Sequence, residues 1–481
     1  MTCDSREVNS GSLFLGLPGV KIDGGIFWQE AFERGAVAAI IGTNAAKLNP
    51  PRLEDSVIVI SSDISTYIGE LASIFWGIPS SKMSTIGVTG TNGKTTVTHI
   101  IEHLSKSIGI PSALFGTIEN RWPNHSQVAS HTTPFSIELQ DQMASALNAG
   151  SKLAVVEVSS HALDQNRVAG CKFSGAIFTN LTQDHLDYHS SMKKYFESKC
   201  KLFKSPLIDS KSVCTVVNID NFWGEKLSNK LDGKCWRSSL DQKFANTNQV
   251  ELTISKLINS KSGIGGLMHT PAGDGEFFSP LIGNFNLMNI LQSVGSLLQL
   301  GLPLDKLLSS ISDFKGVPGR MQRVSLGSHI DDGRLPTVVV DYAHTPDGLK
   351  NALLAAKPLV SGEVICVFGC GGDRDRGKRP LMGAVASKIA NKIVITSDNP
   401  RSESPIKIIN DIKKGISSSI HFEVEVDRTK AIQYAIDIAS PCDVVLIAGK
   451  GHEDYQILES EIIHFDDREE VILALRNKSS N

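Results

Sequence analysis

Ser84–Thr96 reads STIGVTGTNGKTT, and this stretch decides the fold. Ile86 and Val88 form the end of a short buried strand. Gly90–Thr96 (GTNGKTT) is a glycine-rich turn, and beyond it Val97, Ile100, Ile101, Leu104 and Ile108 recur at helical spacing. Strand, glycine turn and helix start make a phosphate cradle. Backbone N–H groups converge on an anion there, and the helix N-terminus adds partial positive charge. Lys94 is placed to reach the outer phosphates and the Thr95 hydroxyl to meet Mg²⁺. The strict form of this motif has a glycine five residues before Gly93, where this chain has Val88. The competing reading is a glycine turn capping an ordinary helix. Lys-Thr-Thr directly after Gly-Thr-Asn-Gly speaks against it.

Around this centre, 481 residues predict more than one core. Apolar content of 41% and charged content of 21% describe a globular chain. A net charge of −3 gives no general pull toward nucleic acid or an anionic membrane. No apolar run reaches membrane-spanning length, and MTCDSREVNSGS carries no signal-type apolar region. Eight scattered cysteines without a CxxC pair predict free thiols in a reducing cytoplasm.

The expected fold class is α/β in three domains. Residues 1–82 read as a small α/β domain, with a linker at Gly77–Ser81. Residues 83–324 read as a central P-loop domain with a parallel sheet, like that of an ATPase. Its further strands are Lys152–Val158, Lys172–Asn180 and Ser212–Asn218, and residues 250–280 are a glycine-rich antiparallel insert. Residues 325–481 alternate cleanly. Strands at Thr337–Asp341, Glu363–Phe368, Lys392–Ser397, His421–Val426 and Asp443–Ala448 predict a Rossmann-like, doubly wound domain without the dinucleotide fingerprint.

Chemistry-bearing residues follow the strand ends, where ligands gather in such sheets. Glu157 closes an apolar run and suits Mg²⁺ near phosphates, or is a solvated strand-end carboxylate. Thr179–His189 (TNLTQDHLDYH) carries His185 and His189 four apart. That spacing suits a transition metal on a helix or, more simply, polar groups turned toward Mg²⁺-ATP. Lys199 shares a face with Met192, Tyr195, Phe196, Leu202 and Phe203. Either it snorkels to water, or it is held in a low-dielectric site where a neutral amine can add CO₂ to give a carbamate. Asn286 and Asn289 share a helix face, as purine contacts or as caps. The Pro318-Gly319 turn with Arg320 reads as a hinge with a phosphate-reaching arginine.

GTNGKTT, EVSSHAL, TNLTQDHLDYH, GNFNLMN, DYAHTPD and GCGGDRDRGKRP together resemble the Mur ligase family, in its order and across nearly the whole chain. Val88 at the shifted position is that family's normal form. The resemblance implies ATP-dependent amide formation. A carboxylate on UDP-MurNAc-L-Ala-D-Glu attacks the ATP γ-phosphate, and an amine then attacks the acyl-phosphate. It implies that Gly90, Thr91, Asn92, Gly93, Lys94, Thr95, Thr96, Asn286, Arg320, Asp341 and His344 bind ATP. Lys94, Lys199 and His185 are the implied catalytic residues. Thr95, Glu157, His185 and Lys199, the last as a carbamate, are the implied metal site. Cys3, Ser5, Val20, Lys21 and Ile22 match the uridine pocket. His131, Thr132, Thr133, Ser159, Gln165 and Arg167 match the muramoyl-dipeptide contacts, although His131 stands where the family usually has Asn.

Asp398-Asn399-Pro400-Arg401 matches the form found in family members that add meso-diaminopimelate, and Arg374, Gly449 and Glu453 match their other contacts. The physics agrees, because a guanidinium pairs bidentately with the second carboxylate of diaminopimelate. The expected partners are small molecules, with neither nucleic acid nor membrane, and a monomer is the expected state. The competing functions are L-lysine addition, folate polyglutamation, and a P-loop switch that binds partners without ligating.

Overall fold

Val and Ile crowd the strand positions of this chain because strands covered on both faces need apolar side chains throughout. A computed structural model describes residues 1–19, 22–208, 214–231, 235–244, 250–260, 262–327, 334–459 and 461–480. The uridine candidates Val20 and Lys21 lie outside the described residues. Two compact units emerge. One is Met1–Gly90 with Ser105–Phe178 and Glu197–Val216, and the other is Thr91–Leu104 with Thr179–Phe196 and Val217–Asn481. No helix among the described residues is long and apolar enough to cross a membrane.

In the first unit, β1 (Leu13–Leu15), β2 (Ala38–Gly42) and β3 (Val57–Ile60) form a parallel sheet in that order. Phe14, Trp28, Ala31 and Ile41 pack its core. The helix Ile64–Phe75 starts on an Asp63 side-chain cap and buries Ile64, Ile68 and Ala72 against Leu15 and Ile137. The expected linker is a packed joint. Ile78 is left-handed, Ser80 is buried, and its hydroxyl accepts from the Lys172 N–H at 2.9 Å. Pro79 and Ser80 are buried by these contacts, whereas Ile78 and Ser81 stay exposed.

The same unit holds β4 (Ser84–Thr89), β5 (Ser112–Phe115), β6 (Glu119–Trp122), β7 (His125–Val128), β8 (Leu153–Glu157), β9 (Gly175–Phe178) and, as far as Val216, β10 (Cys214–Asn218). They lie side by side in the order β10-β9-β4-β8-β5-β6-β7. β4 is central and pairs in parallel with β8 and β9, so its exit toward Gly90 leaves from the middle of the sheet. β8 is buried along its whole length and delivers Glu157 at the same sheet edge, where Val88 pairs with Glu157.

In the second unit, β11 (Trp236–Ser238) precedes β12 (Thr253–Ser260), β13 (Gly263–Thr270) and β14 (Gly273–Ser279), the expected antiparallel insert. The helix Asn284–Gln299 follows. Then come β15 (Gln322–Val324), β16 (Thr337–Asp341), β17 (Val364–Phe368), β18 (Lys392–Ile395), β19 (His421–Val424), β20 (Val444–Ala448) and the hairpin β21 (Tyr455–Leu458) with β22 (Glu461–His464). The six-stranded sheet runs β15-β16-β20-β17-β18-β19, and only the pair β15–β16 is antiparallel. The chain moves outward from β17 to β19 and returns to insert β20 between β16 and β17.

With crossovers of one hand, that reversal puts the helices on opposite faces. Leu349, Met382 and Ile408 pack one face, and Ile432 and Val471 the other. The double winding expected from the alternation is therefore present. Ligands in such sheets bind beyond the strand ends next to the reversal, and the ends of β16, β17, β18 and β20 carry the polar clusters.

Candidate active site

The glycine turn leaves β4 through Gly90, and the helix Lys94–Ser107 begins after Gly93, whose φ is +88°. A Cβ at Gly93 would come within 2.6 Å of Asn289 Oδ1, so glycine is required on two counts. Neighbouring segments of the second unit hold the turn. Asn92 N–H donates to Asn180 Oδ1 at 2.9 Å, the Asn92 carbonyl accepts from the Thr179 hydroxyl at 2.6 Å, and the Asn92 amide donates to Asp347 Oδ2 at 3.2 Å. The Lys94 ammonium folds over the turn onto the Thr91 carbonyl at 2.9 Å. Asn286 and Asn289 are buried. Asn289 donates to Asn286 Oδ1 at 2.9 Å, and Asn286 donates to the Ile282 carbonyl at 2.8 Å. Both amides therefore brace the first turn of the helix, and neither caps it, since its N-cap, Gly283, makes no side-chain cap bond.

Arg320 reaches the same turn, donating from Nη2 to the Thr95 hydroxyl at 3.2 Å with its guanidinium 4.2 Å over the Tyr342 ring. Its Nε is buried without a hydrogen-bond partner among the described residues, a cost that a bound anion would relieve. Asp341, at the end of β16, accepts from the N–H groups of Met321 at 2.7 Å and Ala343 at 2.8 Å. It thereby fixes the loops that carry Arg320 and His344, while burial pushes its carboxyl up.

Asp184 is the electrostatic hub of this unit. Its carboxylate lies 3.4 Å from His185 Nε2, 3.5 Å from His344 Nε2 and 3.7 Å from Lys378 Nζ. Burial alone would raise its carboxyl, but the His344 hydrogen bond and the charges of His185 and Lys378 hold it well below the usual carboxylate range. The transition-metal alternative for His185 and His189 is not borne out. The helix is only Leu186–His189, and His185 is its left-handed N-cap, so the pair does not share a helical face. His189 stacks on Tyr195 instead, with centroids 5.1 Å apart.

In the first unit, Glu157 is fully buried and not a solvated carboxylate. It accepts from the Thr117 N–H and the Thr117 hydroxyl, both at 2.9 Å. Around it gather the dipeptide candidates. The Thr132 hydroxyl is 3.2 Å from that of Thr117. Thr133 donates to the Glu157 carbonyl at 2.7 Å and accepts from the Ser159 N–H at 3.1 Å. Arg167 donates to Gln165 Oε1 at 2.9 Å and to the Thr133 carbonyl at 3.0 Å, and lies 4.1 Å over Phe135. His131 meets the same Phe135 ring edge-on, and burial with the nearby Arg167 charge pushes its imidazole pKa down. Lys199 is 1% exposed, with Nζ donating to the Gly90 carbonyl at 2.7 Å. Burial excludes the snorkelling alternative. Of the uridine candidates, Ser5 is buried and its hydroxyl donates to Glu30 at 3.3 Å, whereas Cys3 and Ile22 are exposed.

Among the described residues, no group of three or more His, Cys, Asp or Glu could hold a metal ion. Mg²⁺ does not need such a cage, because it takes one or two carboxylates plus phosphate oxygens and keeps several waters. The buried Glu157 carboxylate is a donor of that kind.

At the ends of β18 and β20, the amino-acid candidates are knitted together. Asn399 donates from Nδ2 to Glu453 Oε2 at 2.9 Å, and its Oδ1 accepts from the Ile457 N–H at 3.0 Å. Asp398 Oδ1 accepts from the Asn399 N–H at 2.6 Å, and its carbonyl accepts from Gln456 at 2.7 Å. Pro400 passes the chain to Arg401, which is left-handed at φ +52° and donates from Nη1 to the Gly372 carbonyl at 2.8 Å. Gly449 crosses close to Asp398 Oδ2. Arg374 is exposed and donates to the carbonyl of Asp373. Sequence reasoning did not single out Thr117, Asp184, Lys378 or Lys450. Asp184 lies within TNLTQDHLDYH, Lys378 within GCGGDRDRGKRP, and Lys450 between Gly449 and Glu453, whereas nothing local flags Thr117.

A glycine turn at the exit of a central parallel strand, with a doubly wound sheet whose strand-end loops face a row of cations and carboxylates, defines a P-loop protein built for phosphate chemistry. The chain belongs to the Mur ligase family. Residues 1–76 match the Mur ligase family, catalytic domain; residues 88–297 the Mur ligase middle domain; and residues 319–451 the Mur ligase, glutamate ligase domain. It is 58% identical over 469 residues to the UDP-N-acetylmuramoyl-L-alanyl-D-glutamate--2,6-diaminopimelate ligase of Prochlorococcus marinus, covering 98% of this chain and 92% of that one. It is 48% identical to the ligase of that name from Thermosynechococcus vestitus, covering 99% and 92%. A solved structure of a ligase with the same name superimposes with a TM-score of 0.66 at 34% identity, over 99% of this chain and 94% of that one. The MurF ligase of Thermotoga maritima, solved in complex with ADP, shares the fold with a TM-score of 0.66 at 16% identity, over 100% and 97%.

Proposed function

We propose that this chain is an ATP-dependent amide ligase that joins meso-2,6-diaminopimelate to UDP-MurNAc-L-Ala-D-Glu in cytoplasmic peptidoglycan precursor synthesis. The observation that carries the reading is the Asp398–Arg401 loop, tied through Asn399 to Glu453. It sets a guanidinium and a carboxylate in one knitted pair of loops, as a substrate end bearing both a carboxylate and an ammonium requires. The 58% identity to a diaminopimelate ligase supports it.

In this reading the substrate carboxylate attacks the ATP γ-phosphate, and Lys94 and Arg320 concentrate positive charge where phosphoryl charge spreads. Gly90–Thr96 cradle the phosphates. Asn286 and Asp341 hold the loops around the nucleotide, and His344 and His185 are aimed by Asp184. Mg²⁺, held by Glu157 and Thr95 with His185 and a carbamate on Lys199, would neutralise phosphate charge. Thr132, Thr133, Ser159, Gln165 and Arg167, with His131, hold the muramoyl-dipeptide, and Cys3, Ser5 and Ile22 border the uridine end. The amine attacks the acyl-phosphate, and the products are amide, ADP and phosphate. The three-domain division at residues 82 and 324, and action as a monomer, belong to the same reading.

One assay tests it: phosphate release with UDP-MurNAc-L-Ala-D-Glu, ATP and Mg²⁺, comparing meso-diaminopimelate with L-lysine. The expected preference is large, on the order of 10⁴, because lysine leaves the Arg401 guanidinium no substrate carboxylate. Arg401→Ala is expected to raise KM for diaminopimelate far more than KM for ATP. Equal preference for the two amino acids in the wild type would return the chain to the lysine-adding alternative.

A further inference from the structure

Lys450 has no role in the proposed reaction, yet it is among the most completely buried charged side chains of the chain, at 0% exposure. Its Nζ donates to Glu453 Oε2 at 3.1 Å and to Asn399 Oδ1 at 3.3 Å, and stands 5.4 Å from the centre of the Tyr455 ring. An ammonium removed from water is retained only where its partners compensate. A position that needed packing alone would take Met or Leu.

These partners are the two side chains that the proposed function assigns to the amino acid. The Asn399 amide is fixed in one orientation. Its oxygen receives two N–H donors, from Ile457 and Lys450, so its NH₂ is turned to Glu453. Glu453 is fixed as well, because Oε2 receives both Lys450 and Asn399, whereas Oε1 takes neither bond. Burial and the Asp398 charge push the Glu453 carboxyl up, while Lys450 and Asn399 oppose this.

We propose that Lys450 is a positioning residue for the incoming amino acid: it fixes the Glu453 carboxylate and the Asn399 amide in one arrangement that leaves Glu453 Oε1 to receive a substrate ammonium. This rests on the diaminopimelate reading. Lys450 does not touch the substrate and acts through its two neighbours.

The test uses the full chain with Lys450→Met, Lys450→Gln, Glu453→Gln and the double variant Lys450→Met/Glu453→Gln. KM for meso-diaminopimelate, KM for ATP and the affinity for a fluorescent ADP are measured for each. Both Lys450 variants are expected to raise KM for diaminopimelate about tenfold or more, as when one partner of a buried charge pair is removed. KM for ATP and ADP affinity should stay within about twofold. Glu453→Gln should raise the same KM, and the double variant should be no worse than the poorer single one, because one residue acts through the other. A diaminopimelate KM unchanged in a variant that still binds ADP overturns the assignment. So do strictly additive losses, or loss of ADP binding in both Lys450 variants, since either makes the lysine a structural support. A wild-type chain that releases no phosphate in response to diaminopimelate overturns the functional reading itself, whatever the variants do.

Discussion

At the scale of the residue, Lys199 carries the sharpest consequence. Its place on an apolar stripe was plain in the sequence, but helical spacing alone does not say whether the stripe faces the interior. The structure buries the side chain and sets its Nζ against the Gly90 carbonyl at 2.7 Å, at the first residue of the glycine turn. If a carbamate is the working form, Lys199→Ala is expected to lose activity, and acetate or formate added to the assay should restore part of it. Failure of every small carboxylate to restore turnover in a folded, ADP-binding variant would argue against the carbamate. Asp184 teaches the complementary lesson. It stood in a stretch full of carboxylates and histidines, and only its meeting with residues far along the chain, His344 and Lys378, distinguishes it.

At the scale of the element, two strand ends set the site. Glu157 leaves β8 beside Gly116, where a Cβ would come within 2.4 Å of its Oε1. Gly116→Ala must therefore displace the carboxylate from Thr117. The expected outcome is a fall in kcat of about tenfold or more, with a higher Mg²⁺ requirement and near-normal ADP binding. An unchanged kcat would mean that Glu157 has room to move without consequence.

The helices that follow β17 and β18 are joined by Arg379, which is buried and pairs with Glu403 at 2.8 Å and Asp411 at 3.1 Å. The Arg379 hydrogen bond holds the Glu403 carboxyl below its ordinary value. A depressed carboxylate stabilises the fold above the unfolded pKa of about 4.3 and loses that contribution as pH falls through the folded value. Glu403→Gln is thus expected to cost about 1–2 kcal/mol near neutrality, with the difference fading below about pH 4. Denaturant melts of both proteins across that range check the sign. A difference that grew in acid would contradict it.

At the scale of the whole molecule, Thr91–Thr96 of the glycine turn and the doubly wound sheet that meets it through Asp347 and Arg320 belong to one compact unit. Nucleotide should therefore stabilise far more than a local loop. ADP at a hundred times its Kd is expected to add about 2.7 kcal/mol and raise Tm by a few degrees. Lys94→Ala should abolish most of that rise. A full ADP-induced shift in Lys94→Ala would remove the lysine from the phosphate site.

The sequence by itself determined the three α/β patterns, the glycine turn with Lys94, and the run of strand-end clusters through Glu453. These are written in spacings of two, of three to four, and in glycine positions, which neighbouring residues impose on one another. Strand limits moved by one to three residues because ends fray where pairing stops. Only the tertiary structure decided that Lys199 is buried rather than snorkelling, that Pro79 and Ser80 of the expected linker are packed, that His185 and His189 do not share a helical face, and that Lys450 holds Asn399 and Glu453. For Lys199, Ser80 and Lys450 a deciding partner, Gly90, Lys172 and Asn399 in turn, lies on another strand or loop, and burial and charge pairing are properties of what the fold brings together, not of what the chain places side by side.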